Sequence, residues 1–250
     1  MTTSTCRRSC ATDTDVPVRV RRVTTTRAGG VSKPPFDTFN LGDHVGDDPA
    51  AVAANRRRLA DALGLAADAV VWMNQVHSDR VAVVDGPQGA ALPDTDAMVT
   101  TTRGLALAVI TADCVPVLLA DARAGVIGAA HAGRVGAQLG IVERTVEKMV
   151  ELGAQVADVS VLLGPAVSGR RYEVPEQMAA DVEKTLPGSR CRTARGTPGL
   201  DIRAGLVGQL QRLGVTSIDV DPRCTVEDRA LFSHRRGAPT GRLASLVWME

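Results

Sequence analysis

The sequence predicts a fold of the α/β or α+β kind, with sheets covered by helices in one domain. Three observations carry this. Short apolar runs separated by Gly, Pro and Asp crowd residues 70–130, as successive strands do. Segments with helical spacing flank them at 49–64, 140–152, 175–186 and 201–213. No low-complexity linker divides the 250 residues, a length that buries a core without staples.

The elements follow in order. Residues 1–16 are polar, lack the apolar stretch of a signal peptide, and read as a disordered tail before a single domain over 17–250. Cys6 and Cys10 lie in that tail with no other Cys or His near in sequence, so two incidental thiols is the simpler reading. Val18–Val23 alternates like a strand, and Gly29, Gly30, Pro34 and Pro35 mark a loop. Asp47 and Asp48 before Pro49 cap a helix that Gly64 closes. Strands are expected at Val70–Asn74, Val81–Val84, Ala97–Thr100, Leu105–Thr111, Val115–Ala120 and Val126–Ala130. Leu105–Ile110 and Val115–Ala120 are nearly continuous apolar runs, buried on both faces. Helices follow at Gly140–Leu152, Pro175–Leu186 and Asp201–Leu213, with strands at Val159–Leu163, Val215–Val220 and Leu243–Met249.

Composition excludes several functions. A net charge of +1 gives no nucleic-acid footprint, and six aromatic residues are too few for base-stacking platforms. No run approaches membrane-spanning length. Five scattered cysteines are not a disulfide framework and point to a reducing compartment, so a cytoplasmic protein is expected. Four histidines cap the metal chemistry at one small His/Cys site. Nothing in the sequence indicates an oligomeric state.

The residues that bear chemistry lie at expected strand ends. His77 follows the run at 70–74, Cys114 sits between two buried strands, and His131 ends the run at 126–130. Their separations are too long for a zinc knuckle and suit a site assembled from separate strand ends. Two imidazoles and a thiolate make a three-ligand zinc set with an open fourth position. Such a metal lowers the pKa of its water toward neutrality. Without metal the same trio is a thiol with two candidate bases. Each residue taken alone is also compatible with a structural role, since free Cys is often simply buried. His131-Ala132-Gly133-Arg134 leads toward a helix, where backbone N–H groups and Arg134 suit an anion. Phe232-Ser233-His234-Arg235-Arg236-Gly237 and Thr240-Gly241-Arg242 place three arginines and two hydroxyls in a short stretch that suits an anion or sugar contact, or a plain surface turn, and His234 lacks strand-end logic as a fourth ligand.

Ordered motifs then carry a resemblance. They are Asn40-Leu41-Gly42, Asn55-Arg56, Asn74-Gln75-Val76-His77, Asp96-Ala97-Met98-Val99-Thr100 and Thr111-Ala112-Asp113-Cys114-Val115-Pro116. His131-Ala132-Gly133, Leu163-Gly164-Pro165, Tyr172-Glu173-Val174, Cys224-Thr225 and Phe232-Ser233-His234-Arg235-Arg236 complete them. From about Val20 onward the chain resembles the bacterial YfiH-like proteins, formerly labelled polyphenol oxidases or laccase-domain proteins. The resemblance implies a single α/β domain of mixed sheets flanked by outer helices. It implies an active-site trio of His77, Cys114 and His131, often with zinc. It implies phosphorolysis of adenosine, inosine, guanosine and methylthioadenosine, and deamination of adenosine. The expected partners are therefore purine nucleosides and phosphate, with no nucleic acid and no membrane.

Asp113 is then a candidate proton shuttle. Arg56, Asn40, Arg134, Phe232, Ser233 and Arg235 are candidates for holding substrate or phosphate. Two departures from the family stand out. Arg134 and Val135 occupy slots that usually hold Trp and Arg, and His234 stands where Tyr is common. The alternatives are a cysteine-dependent hydrolase editing a peptidoglycan precursor, with Cys114 as nucleophile, a single-copper oxidase, and a binder without turnover.

Overall fold

The computed structural model describes residues 17–250. The tail expected over 1–16, with Cys6 and Cys10, lies outside the described residues. Strand β1 (Val20–Thr24) leads through a long loop to helix α1 (Pro49–Leu63). Then come β2 (Val70–Val71), β3 (Val81–Val83), β4 (Ala97–Thr100), β5 (Ala106–Thr111), β6 (Val115–Asp121) and β7 (Val126–Ala132). Helices α2 (Arg134–Gln138) and α3 (Ile141–Glu151) precede β8 (Ser160–Leu163) and α4 (Glu176–Thr185). The chain continues with β9 (Arg190–Arg192), β10 (Pro198–Leu200), α5 (Ile202–Arg212), β11 (Ser217–Val220) and β12 (Leu243–Met249).

The strands form a four-stranded sheet ordered β1-β12-β5-β2 and a six-stranded sheet ordered β11-β8-β6-β7-β4-β3. Both are mixed: β5 runs antiparallel to β12 but parallel to β2, and β8 runs antiparallel to β6 but parallel to β11. Strand alternation sorts the side chains into three apolar layers. Leu107 and Val109 of β5, Leu118 of β6, Ile127 of β7 and Val247 of β12 fill the space between the sheets. Val117, Leu119 and Ala130 face the other way, onto α3, α4 and α5. Ala106, Ala108 and Leu246 face α1 through Leu59 and Ala60. The continuous apolar runs at β5 and β6 thus arise from sandwiching between layers. They do not require parallel pairing, since β6 has antiparallel neighbours on both sides.

The local signals act as expected at most ends. The Ala50 N–H donates to the Asp48 carboxylate at 2.9 Å, Pro49 occupies the first turn, and Gly64 closes α1 at φ +70°. Asp201 caps α5 by accepting from Ala204 N at 3.1 Å. Three expectations shift. The strand expected at 70–74 pairs only over Val70–Val71, because the chain then leaves the sheet through a bridge between Met73 and Leu92. The approach to the third helix is a separate five-residue helix, α2, divided from α3 by Gly140 at φ +83°. The β9–β10 hairpin was unassigned, since three-residue strands rich in Arg and Gly carry no alternation. Among the described residues Cys114, Cys191 and Cys224 are free, and no helix is long and apolar enough to cross a membrane.

Leu118 is fully buried between the sheets. Leu118→Ala is expected to destabilise the protein by about 2–5 kcal/mol in urea unfolding. Val83→Ala, at a half-exposed edge position, should stay within about 0.5 kcal/mol.

Candidate active site

The β5–β6 connection crosses from one sheet to the other, and Cys114 closes it. His131 lies on the neighbouring strand β7, opposite Pro116. Both residues share the parity of Ile127 and Leu118, so they face the space between the sheets at its end. His77 arrives from the loop after β2, with φ +63°. The His77, Cys114 and His131 ligand atoms all lie within 4.8 Å of one another. Cys114 Sγ is 3.7 Å from His77 Nε2, and the two imidazoles meet edge to face with centroids 4.7 Å apart. Gly133 makes this approach possible. A Cβ there would lie 2.6 Å from the His77 ring and 3.1 Å from Cys114 Sγ.

Asp96, at the head of β4, sets the trio's orientation. It is fully buried and accepts from the backbone N–H of Val76, His77 and Ser78 at 3.1, 3.0 and 2.7 Å. The Ser78 hydroxyl donates to it at 2.8 Å, and His131 Nδ1 lies 2.9 Å away. Burial alone would raise its pKa, but the bonds from His131 and Ser78 outweigh that and hold it at about 2. An ionised carboxylate only accepts, so the Asp96 contact puts a proton on His131 Nδ1 and turns Nε2 toward the site.

Cys114 and His131 then hold each other charged. Burial opposes the thiolate, yet the His131 charge and the bonds from both histidines lower the Cys114 pKa to about 6, from an ordinary value of 9.0. Burial likewise opposes the imidazolium, and the Cys114 thiolate and Asp96 raise His131 to about 9. At neutral pH the metal-free site is a thiolate–imidazolium pair. Two imidazoles and a thiolate also suit a metal, with Asp96 as the outer partner that fixes the ligand tautomer.

The trio lines a cavity of about 350 Å³, within the range of small-molecule sites. Arg134, Arg235 and Arg242 line it, with His44, Tyr172 and His234. The Arg235 guanidinium sits 4.9 Å above the Tyr172 ring. Arg134 also donates to Gln138 at 3.0 Å. His234 lines the wall but falls outside the metal-binding group.

Of the other candidates, Asp113 is on the cavity wall and Arg56, Asn40, Phe232 and Ser233 are not. The Asp113 carboxylate is engaged by the Thr225 hydroxyl at 2.5 Å and by Arg235 N at 2.6 Å, so it fastens the 225 and 235 segments to the cavity. Arg56 stacks 4.2 Å over Trp72 and pairs with Asp43 at 3.2 Å, away from the cavity lining. Asn40 is fully buried and accepts from Gly42 N and Arg242 N, tying two loops. Phe232 and Ser233 are buried behind the wall, with Arg27 5.0 Å above the Phe232 ring. Arg242, expected with the 232–237 stretch at an anion contact, does line the cavity, whereas sequence reasoning missed Asp96 and Gln75. Gln75 binds both backbone groups of Ile110 at 2.8 Å and closes the end of β5. Asp96 and Gln75 stood inside quoted motifs, and an acid directly before the all-buried strand Ala97–Thr100 was the available signal.

Residues 21–250 match the family described as multi-copper polyphenol oxidoreductase laccase. The chain belongs to that family. It is 72% identical over 236 residues to the purine nucleoside phosphorylase Rv2149c of Mycobacterium tuberculosis, covering 94% of each chain. It is 62% identical to the purine nucleoside phosphorylase Cgl2154/cg2365 of Corynebacterium glutamicum, covering 92% of this chain and 94% of that one. Among solved structures, YlmD of Geobacillus stearothermophilus superposes with a TM-score of 0.86 at 34% identity, covering 92% of both chains. The Neisseria meningitidis protein NMB0706 gives 0.85 at 36%, covering 95% of this chain and 98% of that one. These likenesses fit the YfiH-like reading and the mixed α/β fold. The family's multi-copper description exceeds what this member owns. It has four histidines in all, and among the described residues one group arranged to hold a metal.

In metal-free protein the alkylation rate of Cys114 should rise with pH through a midpoint near 6, because the thiolate is the reactive form. His131→Ala should move that midpoint up toward 9. Asp96→Asn should weaken zinc binding by about 10–100-fold in a chelator competition.

Proposed function

We propose that this protein is a purine nucleoside phosphorylase with adenosine deaminase activity, working at the His77–Cys114–His131 cavity in the cytoplasm. The observation that carries the reading is one small cavity that joins this trio to the guanidinium groups of Arg134, Arg235 and Arg242. The names of the mycobacterial and corynebacterial relatives support it.

In phosphorolysis a phosphate oxygen bonds to C1′ of the ribose as the C1′–N9 bond breaks. The purine takes the bonding pair and a proton. The three arginines attract and orient the phosphate dianion. Asp113 supports this through the backbone of Arg235, which it holds in place. His234, an imidazole of the wall outside the trio, is our candidate for the proton donor. In deamination water adds to C6 of adenosine and ammonia leaves. His77, Cys114 and His131 are the residues that would hold a metal, which we take to be zinc, with copper as the alternative. When bound, zinc acts as a Lewis acid and lowers the pKa of a coordinated water toward neutrality. To hold it, His131 would have to give up its imidazolium proton, so uptake should release protons at neutral pH.

A second reading has its own observation. Asp96, His131 and Cys114 stand in series, as acid, imidazole and thiol do in cysteine-dependent hydrolases. Under that reading the Cys114 thiolate bonds to an amide carbon, for example in a peptidoglycan precursor; the C–N bond breaks as the amine takes a proton from His131, and water then hydrolyses the thioester to a carboxylic acid and frees the thiol.

The test is chromatography of adenosine incubated with zinc-loaded protein, with and without phosphate, alongside Cys114→Ala. Adenine that requires both phosphate and Cys114 is expected, and inosine without phosphate. Untouched adenosine in every tube would overturn the reading. A covalent Cys114 adduct with an acyl electrophile would then favour the hydrolase.

A further inference from the structure

A second cavity, of about 570 Å³, adjoins the first. Arg170, Arg171, Arg195 and Arg235 line it, and Glu173 is the acidic residue on its wall. Arg235 borders both cavities. Its side chain is braced there, over the Tyr172 ring and donating to the Glu173 carbonyl at 3.2 Å.

The fold brings these arginines together from three separate segments. Ala194 N donates to the Arg170 carbonyl at 3.0 Å, which clamps the tip of the β9–β10 hairpin to the turn at 168–171. Asp113 fixes the Arg235 segment from the opposite side. Arg171 is neutralised by Glu227 at 2.7 Å. The guanidinium groups of Arg170, Arg195 and Arg235 have no carboxylate within 4.0 Å among the described residues, since Asp113 meets Arg235 only at its backbone N–H. Elsewhere on the same hairpin Arg190 and Arg192 both pair with Glu176, whereas Arg195 at its tip has no such partner among the described residues. Three uncompensated guanidinium groups around one concavity repel each other unless an anion joins them. Their planar, multi-donor geometry suits an oxyanion with several acceptors.

We propose that this second cavity binds a phosphoryl group beside the nucleoside cavity. The anion preference stands on the arginines alone, and the choice of phosphate among anions rests on the nucleoside reading above. The phosphoryl group arrives either as inorganic phosphate or as the phosphate of a purine nucleotide whose base reaches the first cavity.

Calorimetric titration of the zinc-loaded protein with inorganic phosphate, AMP and adenosine, at fixed ionic strength, tests this without requiring turnover. The variant is Arg170→Ala with Arg195→Ala. Both side chains are exposed, so truncation leaves the core intact. Binding of phosphate, AMP or both should weaken by about tenfold or more, as loss of charged hydrogen bonds does. Adenosine binding should be unchanged. A loss for AMP alone assigns the site to nucleotides, and a loss for phosphate alone assigns it to the free ion. Equal affinity of wild type and variant for both, or no binding of either to the wild type, overturns the proposal. Inert adenosine in the turnover assay, with phosphate binding still lost in the variant, overturns the nucleoside reading while the anion site stands.

Discussion

Asp96 is wholly buried and still ionised because five donors surround it, three from consecutive backbone N–H groups of the 76–78 loop, one from Ser78 and one from His131. An isolated charge in that position would neutralise itself or unfold the site. Here its presence forces the opposite. The loop must wrap it, and wrapping it carries His77 to within reach of Cys114. The Asp96 carbonyl also accepts from His131 N at 2.7 Å, so main chain and side chain fix the same histidine. One carboxylate therefore aligns two of the three ligand residues. The third, Cys114, is aligned by the crossing between the sheets.

That crossing is rigid for reasons of packing. The sheets share one apolar layer, and each carries helices on its outer face. A turn spanning both cannot move without disturbing that layer, since interiors packed this tightly are not continuously deformable. Reactive groups thus sit on the stiff part of the molecule. Arg170, Arg195 and Arg235 sit on turns and at the tip of the β9–β10 hairpin. Cations on exposed turns can adjust to an anion, whereas a thiol and two imidazoles must keep a fixed spacing.

The sequence disclosed the strands that are buried on both faces, because their apolar runs stand out from any background. It disclosed α1 and α5 through Asp48, Pro49, Gly64 and Asp201, whose roles are local. The trio was legible because its members are rare residue types at strand ends. Asp96 was not, since aspartate is common and its meaning lies in donors eighteen or more positions away in the sequence. Asn40 and Arg56 show the converse. Both lie in recognised motifs, yet Asn40 serves loop closure and Arg56 stacks on Trp72, contacts that only the tertiary fold defines. The β9–β10 hairpin was silent because its strands are too short for a period to develop.

Strand β12 braces the strand that leads into Cys114. It lies between β1 and β5, and β5 otherwise has only the two-residue partner β2. Without β12 the strand that leads into Cys114 would keep an open edge along most of its length, so a fault in β12 would reach the thiol through β5.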